Sequence, residues 1–172
     1  MTKMIVAVIA ACALLVPVAA IAADDVRTVA AAANEICKQE QVSLAGAFNS
    51  TYGTNASKSN AFGKCVAKNA KNAKAALDNA SKACAAEWGA DPTAFASKYG
   101  KNANDKNAFG RCVSQHAQAT EQAQQQATIA AAAKCSAERK SLGDAAFKTK
   151  YGTNANKSNA FGKCVAKYAT TK

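Results

Sequence analysis

Aromatic residues make up only 6% of the 172 residues, and β-branched side chains are thin as well. That excludes a large α/β enzyme domain, whose central sheet draws on both. There is one histidine, His116. No Ser/His/Asp or Cys/His arrangement recurs around it, which argues against nucleophilic catalysis. No C-x-x-C and no histidine cluster accompanies the cysteines, so no zinc site is expected. No stretch alternates with the period of a strand. Acidic residues are also short, 11 Asp+Glu against 22 Lys+Arg, for a formal charge of +11. What remains is an apolar fraction of 49%, much of it alanine, and seven cysteines. That content excludes a wholly disordered chain.

Residues 1–22 read as a secretory signal peptide. Lys3 is followed by an apolar run from Met4 to Val18, and Ala20-Ile21-Ala22 matches a small-x-small cleavage pattern. The run is short for a spanning helix. Export to a secreted or periplasmic location is the expectation. Cleavage there removes Lys3 and Cys12, leaving one basic residue fewer, a net charge of +10, and six cysteines. An even cysteine count in a small exported protein points to disulfides.

The chain repeats itself three times. Tyr52–Lys68 and Tyr151–Lys167 differ only at Ser57 versus Asn156, and Tyr99–Ser114 is a looser copy. Each copy reads C-x-x-E, then F-x-x-x-Y-G, then N-A-F-G-[KR]-C-V. Boundaries of 23–72, 73–118 and 119–172 divide the repeats. Each owns two Phe, one Tyr, one Val and two Cys, the inventory of a mini-core too small to hold by apolar burial alone.

Cys37–Cys65, Cys84–Cys112 and Cys135–Cys164 are separated by 28, 28 and 29 residues. Other pairings remain open, but Cys65 and Cys84 lie on one expected helix, about 28 Å apart. A disulfide needs Cα atoms within about 7 Å. Cys112 and Cys135 fail in the same way, so the three pairings within repeats are favoured.

The segments joining the repeats read as helices. Val66, Ala70, Ala73, Leu77, Ala80 and Cys84 form a heptad-like seam dominated by alanine. Asn60, Asn107 and Asn159 are natural N-caps. Asp91-Pro92 opens a short helix carrying Phe95 and Tyr99, which Gly100 ends, as Gly53 and Gly152 do elsewhere. The fold class expected is all-α: three disulfide-stapled helical repeats joined by long alanine-rich helices.

The candidate ligand-binding residues are basic. Lys58, Lys106 and Lys157 lie in recurring Asn/Lys loops, and Lys64, Arg111 and Lys163 precede the second cysteine of each pair. Three such loops suit a repeating polyanion. Glu40, Glu87 and Glu138 are expected to pair with Lys64, Arg111 and Lys163 across the staples. His116 is read as having no counterpart in the other repeats and is expected on an exposed helix face. Trp88 is expected to pack near the Cys84 staple. Asn102, Asn104 and Asp105 hint at a calcium loop, but the other copies lack a carboxylate there.

The run F-x-x-x-Y-G-T-N…N-A-F-G-K-C-V, over Phe48–Val66, Phe95–Val113 and Phe147–Val165, resembles a repeat of exported bacterial proteins. The resemblance implies export and paired cysteines; it supplies no activity, cofactor or site.

These observations lead to an expected non-enzymatic exported protein, with no cofactor or metal, that binds an anionic envelope polymer or lipid surface. No nucleic-acid fold signature is present. The alternative is self-association, with the near-identical ends and alanine seams packing between chains. A cationic membrane-active protein ranks lower, because its helices would need bulkier apolar faces.

Overall fold

The computed structural model describes residues 26–170, so the leader reading lies outside the described residues. Seven helices follow one another, with no strand among the described residues. They are α1 (Val26–Leu44), α2 (Ala47–Tyr52), α3 (Ala61–Ala90), α4 (Pro92–Tyr99), α5 (Ala108–Leu142), α6 (Asp144–Tyr151) and α7 (Ala160–Thr170). None is long and apolar enough to cross a membrane.

The long helices α3 and α5 run unbroken from the second cysteine of one repeat to the first of the next. Neither contains proline, and alanine, the best helix former, fills much of both. Each therefore belongs to two repeats at once. The divisions after residues 72 and 118 fall inside them.

Each repeat is a helical bend closed by one disulfide. Cys37–Cys65 ties α1 to α3, Cys84–Cys112 ties α3 to α5, and Cys135–Cys164 ties α5 to α7, with Cα separations of 5.9, 6.0 and 6.0 Å. Closing a loop of this length contributes about 3–4 kcal/mol in the chain-entropy view. α1, α3, α5 and α7 thus run alternately up and down.

The buried stripe of α3 is Cys65, Asn69, Ala73, Ala76, Ala80 and Cys84. It departs from the expected seam at three places: Cys65, Asn69 and Ala76 are buried where Val66, Ala70 and Leu77 were expected, and those three are only half-buried. It steps by three or four residues, keeping one face inward. Its small side chains let α3 and α5 approach closely, and Ala117, Ala131 and Ala132 of α5 are buried as well.

The three repeats do not form three separate cores. Phe48, Tyr52, Cys37 and Cys65 of repeat 1 share one cluster with Phe147, Tyr151, Phe161, Cys135 and Cys164 of repeat 3. Repeat 2 has its own, built from Phe95, Tyr99, Cys84, Cys112, Val113 and the alanines of the α3/α5 hairpin. The hairpin folds the chain back on itself, bringing the terminal repeats together at its open end. The near-identical ends and the alanine seam are therefore used within one chain.

The short helices obey local rules. Asp91 caps α4 by accepting the Ala94 N–H at 2.9 Å, with Pro92 at the first position. Asn60 and Asn107 do stand just before α3 and α5, but neither side chain caps its helix. Asn60 Oδ1 accepts the Thr54 N–H at 3.0 Å, and its Nδ2 donates to Thr54 Oγ1 at 2.8 Å. Asn159 closes the last loop identically on Thr153. Asn107 accepts the Lys101 N–H. These asparagines lock the loop behind them.

The left-handed residues of the loops are Lys58, Asp105 and Lys157, at φ 60°, 50° and 54°. Each sits six residues after its tyrosine, so Lys58 corresponds to Asp105, and Lys106 stands one place later. Gly53 and Gly152 are extended. Glycine is needed there for space, because a β-carbon at Gly152 would come 2.6 Å from the Lys148 carbonyl oxygen and 2.7 Å from Lys157 Cβ.

Candidate functional site

Two kinds of polar cluster arise from this frame: one beneath each staple, and one where the terminal repeats meet.

Beneath each disulfide, the Glu of C-x-x-E meets the Tyr of the short helix. Tyr52 donates to Glu40 at 2.5 Å, Tyr99 to Glu87 at 2.9 Å, and Tyr151 to Glu138 at 2.8 Å. A third residue, four positions after the second cysteine, completes each group: Asn69, His116 or Tyr168. Asn69 Nδ2 donates to Cys65 Sγ at 3.3 Å, His116 Nε2 lies 3.3 Å from the Tyr99 hydroxyl, and Tyr168 donates to Glu138 at 3.1 Å. His116 is exposed, as expected, but it has positional counterparts in both other repeats. The regular offset from the cysteine was the signal for them.

The carboxylates do not pair with the basic residue before the second cysteine. Glu87 pairs with Lys98 and Glu138 with Lys150, each at 2.6 Å. These lysines precede the tyrosine, so the short helix delivers cation and hydroxyl together. The Lys98 ammonium and Tyr99 hydroxyl hold Glu87 below the ordinary carboxylate range. Lys150 and Tyr151 do the same for Glu138. Repeat 1 has Thr51 at the lysine position, and Glu40 has no ion pair among the described residues. It is 1% exposed, and burial pushes its pKa up despite the Tyr52 hydroxyl.

Two sets of potential metal donors lie together: Cys84, Cys112 and His116, and Cys37, Glu40 and Cys65. Each contains both sulfurs of a disulfide, which are not the thiolates a soft metal requires.

The second cluster is a basic seam between repeats 1 and 3. Two adjoining concavities, of about 340 and 220 Å³, share Ser50, Arg139 and Phe161. Lys58, Arg139, Lys140, Lys148 and Lys157 line them against a single carboxylate, Asp144. Arg139 is held by Asp144 through two bonds, at 2.6 and 2.9 Å. Lys58 crosses the seam, donating to the Gly53 carbonyl at 2.9 Å and to the Ser158 carbonyl at 2.7 Å. Lys157 donates to the Gly152 carbonyl at 3.1 Å. Both ammonium groups are thus bonded to neutral backbone carbonyls. The Lys140 and Lys148 ammonium groups make no hydrogen bond or ion pair among the described residues.

Of the basic residues singled out in the sequence, the fold brings Lys58 and Lys157 to this seam. Lys64, Lys106 and Lys163 are exposed elsewhere on the surface. Arg111 is half-buried, with its Nε buried and unpartnered. Trp88 does not pack at the Cys84 staple; it is 54% exposed.

The fold and seam define a class: an all-helical repeat protein, stapled once per repeat, whose terminal repeats close on each other around a basic cleft. Compared with protein-family models, with curated proteins and with solved structures, the chain gives no match in any of the three.

Proposed function

We propose that this is a non-enzymatic exported protein that binds an anionic polymer or lipid surface of the cell envelope or its surroundings, with the basic seam as its principal contact. The observation that carries this reading is the imbalance at the seam: five cationic side chains face one carboxylate. The wider molecule supports it. Glu40 is buried, and Glu35, Asp78, Glu87, Glu138 and Asp144 are each paired with a neighbouring cation. The field that reaches solvent is consequently positive, which attracts polyanions over about a Debye length, roughly 8–10 Å in physiological salt. Lys64, Lys106 and Lys163 extend that field.

The test is co-sedimentation of the disulfide-bonded protein with vesicles containing anionic lipid, beside wholly zwitterionic vesicles, and retention by an anionic polysaccharide. Binding to the anionic materials alone is expected, weakened by combined Lys140→Gln and Lys148→Gln but little by Lys71→Gln and Lys82→Gln on α3. Equal binding to neutral vesicles, or none to any anionic material, contradicts the reading.

A further inference from the structure

The contact between repeats 1 and 3 has a definite geometry. The short helix α2 lies across the start of α7 at Gly162, with Ala47 and Ser50 beside Phe161 and Arg139. The approach is backbone to backbone: a β-carbon at Gly162 would stand 2.7 Å from the Thr51 carbonyl oxygen. Glycine in a helix costs about 1 kcal/mol relative to alanine. At Gly162 the packing of α2 offsets that cost, and Phe161 is left only 7% exposed.

The same receiving face occurs on repeat 2 with nothing on it. Phe109 and Gly110 stand three and two residues before Cys112, as Phe161 and Gly162 stand before Cys164. Trp88 stands four residues after Cys84, as Arg139 does after Cys135. A β-carbon at Gly110 would meet no atom within 4 Å. Phe109 is 39% and Trp88 54% exposed, two of the large apolar side chains that the fold leaves outside. Repeat 1 has the same glycine open at Gly63, but Gln41 where repeat 2 has Trp88.

The complementary element is exposed on the same repeat. In α2 the contact residues are Ala47 and Ser50, one before and two after Phe48. α4 has Ala94 and Ser97 in those positions around Phe95, and both are exposed. α6 has Thr149 at the second of them.

We propose that the Trp88/Phe109/Gly110 face of repeat 2 receives α4 of a second copy of this chain, reproducing between molecules the packing of α2 on α7. Because both halves lie on repeat 2, two chains can exchange α4 reciprocally and close as a twofold dimer. Lys98 on α4 is neutralised by Glu87, so the contact itself brings little unpaired charge. The repulsion to overcome is that of the whole chain, formally +11. Self-association therefore strengthens as salt rises, opposite in sign to polyanion binding. The two readings fail separately.

The test is sedimentation velocity of the disulfide-bonded protein over a concentration series at low and high salt, for the wild type, Gly110→Ala, Trp88→Ser and Gly63→Ala. The alanine at 110 touches nothing within the monomer, so thermal melting of Gly110→Ala should match or exceed the wild type. A concentration-dependent dimer is expected in the wild type, favoured by salt. Gly110→Ala and Trp88→Ser should weaken it about tenfold or more by blocking close approach or removing the apolar anchor, and Gly63→Ala should leave it unchanged. A monomer at every concentration overturns the proposal, as does association insensitive to Gly110→Ala or equally lost in Gly63→Ala.

Discussion

Gly162 of α7 lies against the backbone of Thr51 in α2, across 111 positions of sequence, with no room for a β-carbon between them. This contact, with the Lys58 ammonium on the Ser158 carbonyl, joins the first repeat to the last. It turns a serial array into a closed body with a basic cleft.

Alanine at Gly162 must therefore push α2 away. Gly162→Ala should destabilise the protein by about 1–3 kcal/mol, as overpacking does. Gly63→Ala, in an identical hexapeptide with open space around it, should be neutral or stabilise by up to about 1 kcal/mol. Paired chemical-denaturation curves check the opposite signs.

The buried Glu40 and the paired Glu138 respond oppositely to pH. Burial raises the folded pKa of Glu40, so between its unfolded and folded values the native state holds the extra proton. Its contribution to stability thus falls as pH rises from the unfolded value, near 4.5, through the folded one. Glu40→Gln keeps an acceptor for Tyr52 and removes that loss, so it should raise the melting temperature at pH 7 and leave it little changed at pH 4. Glu138 has a lowered pKa, so its pairing stabilises above the unfolded value, 4.5, and is lost as pH falls through the folded one. Glu138→Gln should lower the melting temperature at pH 7 and narrow its difference from the wild type in acid. Melting curves from pH 3 to 8 separate the two.

Repeat 2 stands apart from the shared core and depends most on its own staple. Cys84→Ser with Cys112→Ser removes about 3–4 kcal/mol of loop restraint. Hydrogen exchange should quicken through α4 and the 100–107 loop while the Phe48/Phe147/Phe161 cluster keeps its protection. Uniform loss of protection would show one cooperative unit.

The third member of the tyrosine cluster is Asn69, His116 or Tyr168, so the position tolerates different chemistry. His116→Asn should shift the melting temperature by no more than about 2 °C, the scale of a surface change. A much larger drop would give His116 a structural role the other repeats lack.

Much of the fold was legible because three copies state each rule three times. The spacing of 28, 28 and 29 residues gave the staples, and Pro92 with Gly53, Gly100 and Gly152 gave the short helices. The loop-locking role of Asn60 and Asn159 was hidden because an N-cap and a loop clamp require the same residue type at the same place. The Lys98 and Lys150 pairings were missed because Arg111 and Lys163 adjoin the second cysteine of their staples, whereas a short helix carries its penultimate residue back over the staple. The seam itself was illegible. It depends on α3 and α5 folding into a hairpin, and no residue in either copy announces that Lys58 will meet Ser158. Trp88 was misplaced too: it stands one helical turn beyond Cys84 on the same side of α3, but near the end of that helix, where it is left 54% exposed.

The most direct test of the basic-seam account is the salt dependence of binding to an anionic polysaccharide, measured by titration from about 0.05 to 0.5 M salt. The account predicts affinity that falls steeply with salt, and a shallower slope when Lys140→Gln and Lys148→Gln are combined. Binding that ignores salt, or a slope unchanged by those two substitutions, would contradict it.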